Sequence, residues 1–590
     1  MKKLIFILIL FSGFNPSAAL ADEYFPKPGW TDRLNPYIST DAVPGGEISI
    51  HLGPSPKSFN YYLDTSFQAG QILGNLYGTL LSMNLSNFEY EPAIAEKWSI
   101  SGDKKIFTFF LDPAARWSDG RPITAHDVKW TYDAIMNPDH LTGSHKIDLE
   151  RFEPPEVIND RTIRFVAKTV HWQNLGAAGS IYILPKHAYE KLDFNKINFA
   201  FPVVSGPYRL GRYEEGIFVD LERRPDWWAR KFKRHQYMNN FDTIKFKFFA
   251  ERENALEAFK KGNMDIYPVN TARFWVKEAR GPRFDNNWII KQKVYNNQMS
   301  LQFQGFAMNM RKAPFDDVRV RKAINMLVDR RKMNRTIMYS QYEMLKSYYT
   351  DLYDKQHPCP NEMIEFGKAD ARKLLKEAGW KANPKTGFLE KGGQRFVIRF
   401  LTRSADTEKF LSIFAEDLKD VGIDLVIDRK DWAAWAKDMD EFNYQMTWAA
   451  WGAAIFKNPE SSWSSKEAER RGGTNITGFK NPVVDSLIEE QKSIFDVQKR
   501  NDIYRRIDQI IYNEFPYVLL WGLDYNRLLY WNKFGMPDWV LPKNLDEFSA
   551  LSYWWMDQDS VDDLEDAIQN NTPLPPRPGV VRFDEVFQEP

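Results

Sequence analysis

Residues 91–135 read EPAIAEKWSISGDKKIFTFFLDPAARWSDGRPITAHDVKWTYDAI, and the order of signals within them decides the fold. An alternating strand comes first. Asp119-Gly120 then has turn composition, because Asp tolerates and Gly favours the tight backbone a turn needs. Thr124 with Asp127 three residues later matches a capping box, and Val128, Thr131, Tyr132 and Ile135 follow at helical spacing. A strand feeding a capped amphipathic helix is the unit of an α/β fold.

The same alternation continues outward. Over Thr243 to Ala250, Ile244, Phe246 and Phe248 fall on one face and Lys245 and Lys247 on the other, which predicts a half-buried strand. Asp316 or Asp317 is placed to cap a helix carrying Val320, Ala323, Ile324, Leu327 and Val328 on one stripe. Ala371, Leu374, Leu375 and Ala378 repeat that spacing until Gly379 stops the helix. Asn570 to Pro578 (NNTPLPPRP) is polar and proline-rich, which predicts an extended, weakly ordered surface tail.

The amino-terminal residues read as an export signal. Lys2 and Lys3 precede the apolar run Leu4 to Phe11, and Ala19-Leu20-Ala21 forms a small-residue cleavage site, so the mature chain is expected to begin at Asp22. An apolar run this short does not span a bilayer, and no later segment approaches the length a membrane helix needs. No cysteine follows the signal to carry a lipid anchor. A free protein of the periplasm, between the membranes of a two-membrane bacterium, is expected. Cys359 is the only cysteine among 590 residues, so no intramolecular disulfide staples the fold. A chain of this length exceeds what one core supports, and two or more lobes separated by a cleft are expected. The 79 basic side chains match 79 acidic ones, which argues against nucleic acid or an anionic membrane as partner. Twenty Trp, 26 Tyr and 42 Phe supply core rings, and also suit a cavity that grips ligands by ring faces.

Catalytic patterns are missing. The eight histidines, at 51, 126, 140, 145, 171, 187, 235 and 357, show no metal-ligand spacing, and no metal or cofactor is expected. There is no G-x-S-x-G elbow, P-loop or dinucleotide fingerprint. Cys359 lies between Pro358 and Pro360, and a loop cysteine without a catalytic role is the simpler reading. Paired carboxylates for glycoside cleavage depend on three-dimensional separation, so a glycosidase stays open as the enzymatic rival to a binding protein.

With its Trp117, Asp119, Gly120, Pro122, Thr124, Ala125, Asp127 and Val128, the opening stretch resembles the family-5 extracellular solute-binding proteins, the dipeptide, oligopeptide and nickel receptors of ABC importers. Further blocks resemble the family in its own order: Ile183 to His187, Ser205 to Tyr208, Glu222 to Trp228, Ala258 to Ile266, Phe306 to Arg330 and Lys373 to Trp380. The run after Pro516, with Trp531-Asn532-Lys533-Phe534 and Trp554-Trp555, resembles the Yej-type subgroup, which imports oligopeptides and the peptide-nucleotide antibiotic microcin C. The resemblance implies a class II periplasmic-binding-protein fold with two hinged lobes and an additional subdomain in the N-terminal lobe. It places the lobe I core in 22–70, 200–300 and 525–590, the subdomain in 71–199 and the second ligand-binding lobe in 301–524. It also implies a monomer that takes a peptide or peptide-like ligand and passes it to an inner-membrane ABC permease.

The same resemblance directs attention to Thr447 to Glu460 (TWAAWGAAIFKNPE), where the family's amine-binding Asp falls at Ala453 or Ala454. The usual ammonium anchor is therefore absent, and Glu460 or another carboxylate takes its place or the amine is not read here. An unpaired buried ammonium is costly, so the loss predicts an altered ligand, such as a modified or cell-wall peptide. Trp448 and Trp451 are candidate ring walls or core residues. Arg403, at a strand end, is a candidate for a ligand carboxylate or an ordinary ion pair. Tyr295, Asn475 and the backbone of Gly452 and Ala453 are candidates for peptide amides. An oligosaccharide receptor on the same fold is the alternative, followed by a chaperone or chemosensory adaptor.

Overall fold

The computed structural model describes residues 21–588 apart from 57, 61, 64–65, 141, 197–198, 200–202, 250, 297–302 and 453–455, and leaves out the side chains of 143–144 and 432–433. The expected export signal thus lies, except for its last residue, outside the described residues.

Period-two patterning builds three main sheets. The largest has eight strands in the order Val580–Arg582, Ile289–Tyr295, Asn526–Trp531, Ile266–Pro268, Glu47–Gly53, Thr243–Phe248, Phe218–Arg223 and Tyr208–Glu214. Thr243–Phe248 runs parallel to Glu47–Gly53, with Ile244 opposite Ile48. Ile244, Phe246 and Phe248 are buried while Lys245 and Lys247 stay partly exposed, the alternation their spacing predicts. Asn526–Trp531 is buried along its whole length because both faces are covered: Leu528 and Tyr530 join one core, Leu529 and Trp531 the other.

A second sheet of five strands, Glu23–Phe25, Ala95–Ile100, Ile106–Leu111, Thr162–Val166 and Glu156–Asn159, builds the subdomain, its edge strand Glu23–Phe25 coming from the residues expected in the lobe I core. Its Trp98 and Phe109 belong to the same core as Ile48 and Ile50, so the subdomain and the eight-stranded sheet pack as one body. The third sheet, Asp424–Arg429, Val397–Thr402, Met446–Trp451, Phe303–Met308 and Tyr517–Leu519, has separate cores on its two faces. It forms the second lobe. The chain passes between the lobes twice, from Tyr295 to Phe303 and from Leu519 to Asn526.

Local chemistry explains the motif residues. The buried Asp127 carboxylate accepts from the Thr124 amide at 2.9 Å, the Thr124 hydroxyl at 3.0 Å, the Trp117 indole at 3.4 Å and the Lys186 amide at 2.9 Å. It pins the turn, the helix Ala125–Met136 and the segment carrying His187 to one another, and His187 in turn meets Asp119 at 2.8 Å. Gly206 allows a close backbone approach: a Cβ there would lie 2.4 Å from the Asn75 carbonyl oxygen. In the second lobe the Asp317 side chain caps the helix Val318–Met326 by accepting from the Arg319 amide. Gly379, with φ +92°, follows the end of the helix Lys368–Glu377.

The carboxyl-terminal segment is more firmly held than its composition predicts. It runs extended after the helix Gln558–Asn570, but Trp288 Nε1 donates to the Thr572 carbonyl at 2.9 Å, Leu574 N to the Asn286 carbonyl at 2.9 Å and Gln292 Nε2 to the Pro578 carbonyl at 2.8 Å. Val580–Arg582 then pairs in parallel with Ile289–Tyr295 as an edge strand. Proline-rich composition reports a lack of regular ladder bonding, while side chains from neighbouring strands supply the anchors here.

Candidate functional site

A cavity of about 1350 Å³ opens where the two crossing segments meet. Tyr295 ends one of them, and Leu523 and Asp524 lie on the other. The second lobe supplies Glu343 to Ser347, Thr350 to Asp354 and one face of the helix Val497–Glu514; the subdomain reaches it through Asn87 and Phe88; the carboxyl-terminal segment adds Arg582, Asp584 and Glu585. All three bodies therefore contribute to one wall.

A buried carboxylate holds the second-lobe side. Asp508, on the helix Val497–Glu514, accepts from the Tyr348 amide at 2.7 Å, the Tyr353 hydroxyl at 2.8 Å and the Asn361 side-chain amide at 3.2 Å. These bonds fix the segment 347–361, whose Ser347, Tyr353 and Cys359 line the cavity. Burial pushes the Asp508 carboxyl up to about 6, with the hydrogen bonds opposing that shift.

Both charge signs face the space. Lys457 pairs with Asp351, and Lys543 with Asp584 at 2.9 Å. The Arg582 guanidinium lies 4.1 Å over the Tyr295 ring, which tilts against Tyr525 at 5.0 Å. Burial, then the nearby Asp524, raises the Tyr295 hydroxyl above its ordinary value, so it is a neutral hydrogen-bonding group. The Cys359 thiol is also pushed up by burial, which disfavours the nucleophilic thiolate. No histidine lines this cavity, and among the described residues no group of three His, Cys, Asp or Glu is placed to hold a metal ion. Such a wall can bond a chain carrying amides and both signs of charge.

The sequence-derived candidates are dispersed. Tyr295 is in the cavity wall. Trp448 and Trp451 project to opposite faces of the strand Met446–Trp451. Trp448 packs edge-on against Phe306, Phe410 and Trp521 and donates to Gln304 Oε1 at 3.3 Å; Trp451 packs on the other core and donates to the Tyr517 hydroxyl at 3.2 Å. The Arg403 guanidinium sits 5.1 Å over the Trp435 ring. Gly452 follows the strand and is exposed, and Ala453 lies outside the described residues. Asn475 is buried within its own loop: its Nδ2 donates to the Ser464 and Phe479 carbonyls, and its Oδ1 accepts from Phe479 N at 3.0 Å. Glu460 pairs with Lys492 at 2.9 Å. Reasoning along the sequence missed Arg582, Asp584 and Glu585, since nothing in a proline-rich tail signals that its end returns to a sheet edge.

The model of the bacterial extracellular solute-binding proteins, family 5 Middle, matches residues 89–472. The uncharacterized protein y4wM of Sinorhizobium fredii is 27% identical over 584 residues, covering 91% of this chain and 86% of that protein. The probable peptide-binding protein YejA of Agrobacterium fabrum is 25% identical, with 88% and 90% covered. The oligopeptide-binding protein AppA of Bacillus subtilis, solved with a nonapeptide, superposes with a TM-score of 0.72 at 21% identity over 88% of this chain and 100% of that one. The two hinged lobes and their subdomain are thus the fold of the periplasmic binding proteins, and the chain belongs to the bacterial extracellular solute-binding proteins of family 5.

Proposed function

We propose that this chain is the non-catalytic capture component of an ABC importer, which encloses an oligopeptide or a modified peptide between its lobes and presents it to an inner-membrane permease. The observation that carries this reading is the cavity of about 1350 Å³ at the crossing segments, with hydroxyl, amide and oppositely charged groups around one space. A peptide offers matching amides along its length and one charge at each end. The shared core of the subdomain and the eight-stranded sheet, set against the separate cores of the second lobe, supports hinging at the two crossings. The moving bodies are then 22–70 with 200–300, 525–590 and the subdomain 71–199 on one side, and 301–524 on the other. Relatives described as peptide-binding support the ligand class.

Tyr295 is the ligand contact retained from the sequence, joined by Arg582 and Asp524. Trp448, Trp451 and Arg403 shape the second lobe around the site, Gly452 and Ala453 offer main-chain bonds, and Asn475 holds its loop. The leader, the periplasmic location and the monomeric state complete the proposal, with peptide-nucleotides of the microcin C type among the modified ligands. No helix among the described residues is long and apolar enough to cross a membrane.

Native mass spectrometry of the exported chain, purified without denaturation, tests the reading. A bound mass that fragments as a peptide is expected. A chain that carries none, and whose melting temperature no mixed peptide pool raises, overturns it.

A further inference from the structure

The subdomain and the second lobe also meet at a seam, and the contact there centres on one glutamine. Gln491 ends the helix Pro482–Gln491 and is fully buried. Its Oε1 accepts two bonds, from the Tyr504 hydroxyl at 2.8 Å and from the Trp172 indole nitrogen at 2.6 Å. Tyr504 belongs to the same lobe, on the helix Val497–Glu514, and lines the main cavity. Trp172 belongs to the subdomain, between the strand Thr162–Val166 and the helix Asn174–Gly179. One oxygen therefore ties a residue of the cavity wall to a residue of the opposite body.

Both sides of the seam are built around that bond. On the subdomain, the His171 ring stacks with Trp172 at 5.9 Å, and His171 Nδ1 accepts from the Gln173 amide at 3.1 Å. From the second lobe, the Arg500 guanidinium covers the Trp172 ring at 4.0 Å, the Lys492 carbonyl accepts from the Trp172 amide at 2.9 Å, and Asn458 Nδ2 donates to Gln173 Oε1 at 2.8 Å. Gln491 Nε2, by contrast, is buried and has no hydrogen-bond partner among the described residues. An unpaired buried donor is penalised, so this side chain is a poor choice for the stability of its own lobe. What it adds is an acceptor, and half of that acceptor's use lies on the other body. Tyr504 holds the oxygen in place whether or not Trp172 is there, so the indole meets a group that need not reorient. Rotation at the crossings that parted the lobes would break the Trp172 bond and leave the Tyr504 bond intact. The free energy of the Trp172 bond then counts toward the closed form alone. We propose that Gln491 is a positioning residue for capture: by receiving Trp172 it holds the lobes shut over a peptide that it does not touch, and so sets how long the peptide stays. Gln491 does not line the main cavity. This inference rests on the hinged, peptide-binding reading above.

Surface plasmon resonance on the full chain tests this with alanine peptides of three to six residues. Trp172→Phe removes the indole donor from a half-buried position and keeps a ring beside Arg500, while Gln491→Met removes the acceptor. Release requires the lobes to part, so each substitution should speed peptide dissociation about fivefold and change association by less than about twofold. Both substitutions delete the same bond, so the double variant should also dissociate about fivefold faster, rather than about 25-fold. An unchanged dissociation rate in Trp172→Phe overturns this inference alone. So does a loss of affinity carried wholly by slower association, or a double variant in which the two effects multiply. If none of the peptides binds the unaltered protein, the peptide reading falls and this inference falls with it.

Discussion

The turn and helix around Trp117 to Asp127 and the wall of the main cavity are opposites in how they are written into the chain. The first is dense in recognisable residues, and its hydrogen bonds close mostly within ten residues, around one buried carboxylate. The second has no motif at all. Its walls come from positions as far apart as Asn87, Tyr295, Glu343, Arg500 and Glu585. A segment that satisfies its own polar groups must spell out each partner, and so becomes legible. A ligand wall need only present suitable groups, and its composition is free to vary with the ligand.

Variants can break or sharpen this contrast. Asp127→Ala leaves several buried donors without an acceptor and should cost about 4 kcal/mol of stability, while the affinity of the folded protein for a peptide stays the same. Denaturant midpoints and calorimetry on one preparation would separate the two effects, and a loss of affinity at unchanged stability would dissolve the distinction. Asp508 is the corresponding buried carboxylate behind the cavity. Its native form holds its proton to about pH 6, whereas the unfolded chain releases it near the ordinary value of 3.8. The native state therefore binds more protons through that window, and the contribution is present in full below it and is lost as pH rises from about 4 to about 6. The change is on the order of 3 kcal/mol. Stability measured against pH should fall less steeply across this range in Asp508→Asn than in the unaltered protein.

Asn475→Ala should cost about 2 kcal/mol through its buried loop bonds and leave peptide affinity intact. An affinity loss without destabilisation would return Asn475 to the ligand site. Arg582→Ala should show the reverse pattern, weakening peptide binding by about fivefold with little change in melting temperature, because the guanidinium is stacked at the cavity wall rather than in a core. Equal affinities for the two proteins would remove the tail from the site.

Much of the scaffold is readable in the sequence. The capping box at Thr124 and Asp127, the Asp317 cap and the stop at Gly379 are local hydrogen-bonding or steric rules, and the strand Thr243–Phe248 follows from alternation alone. Trp448 and Trp451 are legible as ring walls or core residues, and both are half-buried. Which neighbours receive them is not legible, because Phe410, Trp521 and Tyr517 come from other parts of the chain. The tail shows the limit most clearly. Its prolines told of an extended path, but not of the edge strand at Val580–Arg582, which depends on a free edge of Ile289–Tyr295 nearly 300 residues earlier.

By itself the sequence determined the α/β class, the family and the local caps and turns, since each follows from residues close together along the chain. Only the tertiary structure decided which groups share the cavity, that Arg582 stacks on Tyr295, and that Trp172 of the subdomain meets Gln491 of the second lobe. Those are properties of packed bodies, set by which surfaces meet when separate cores close on one another.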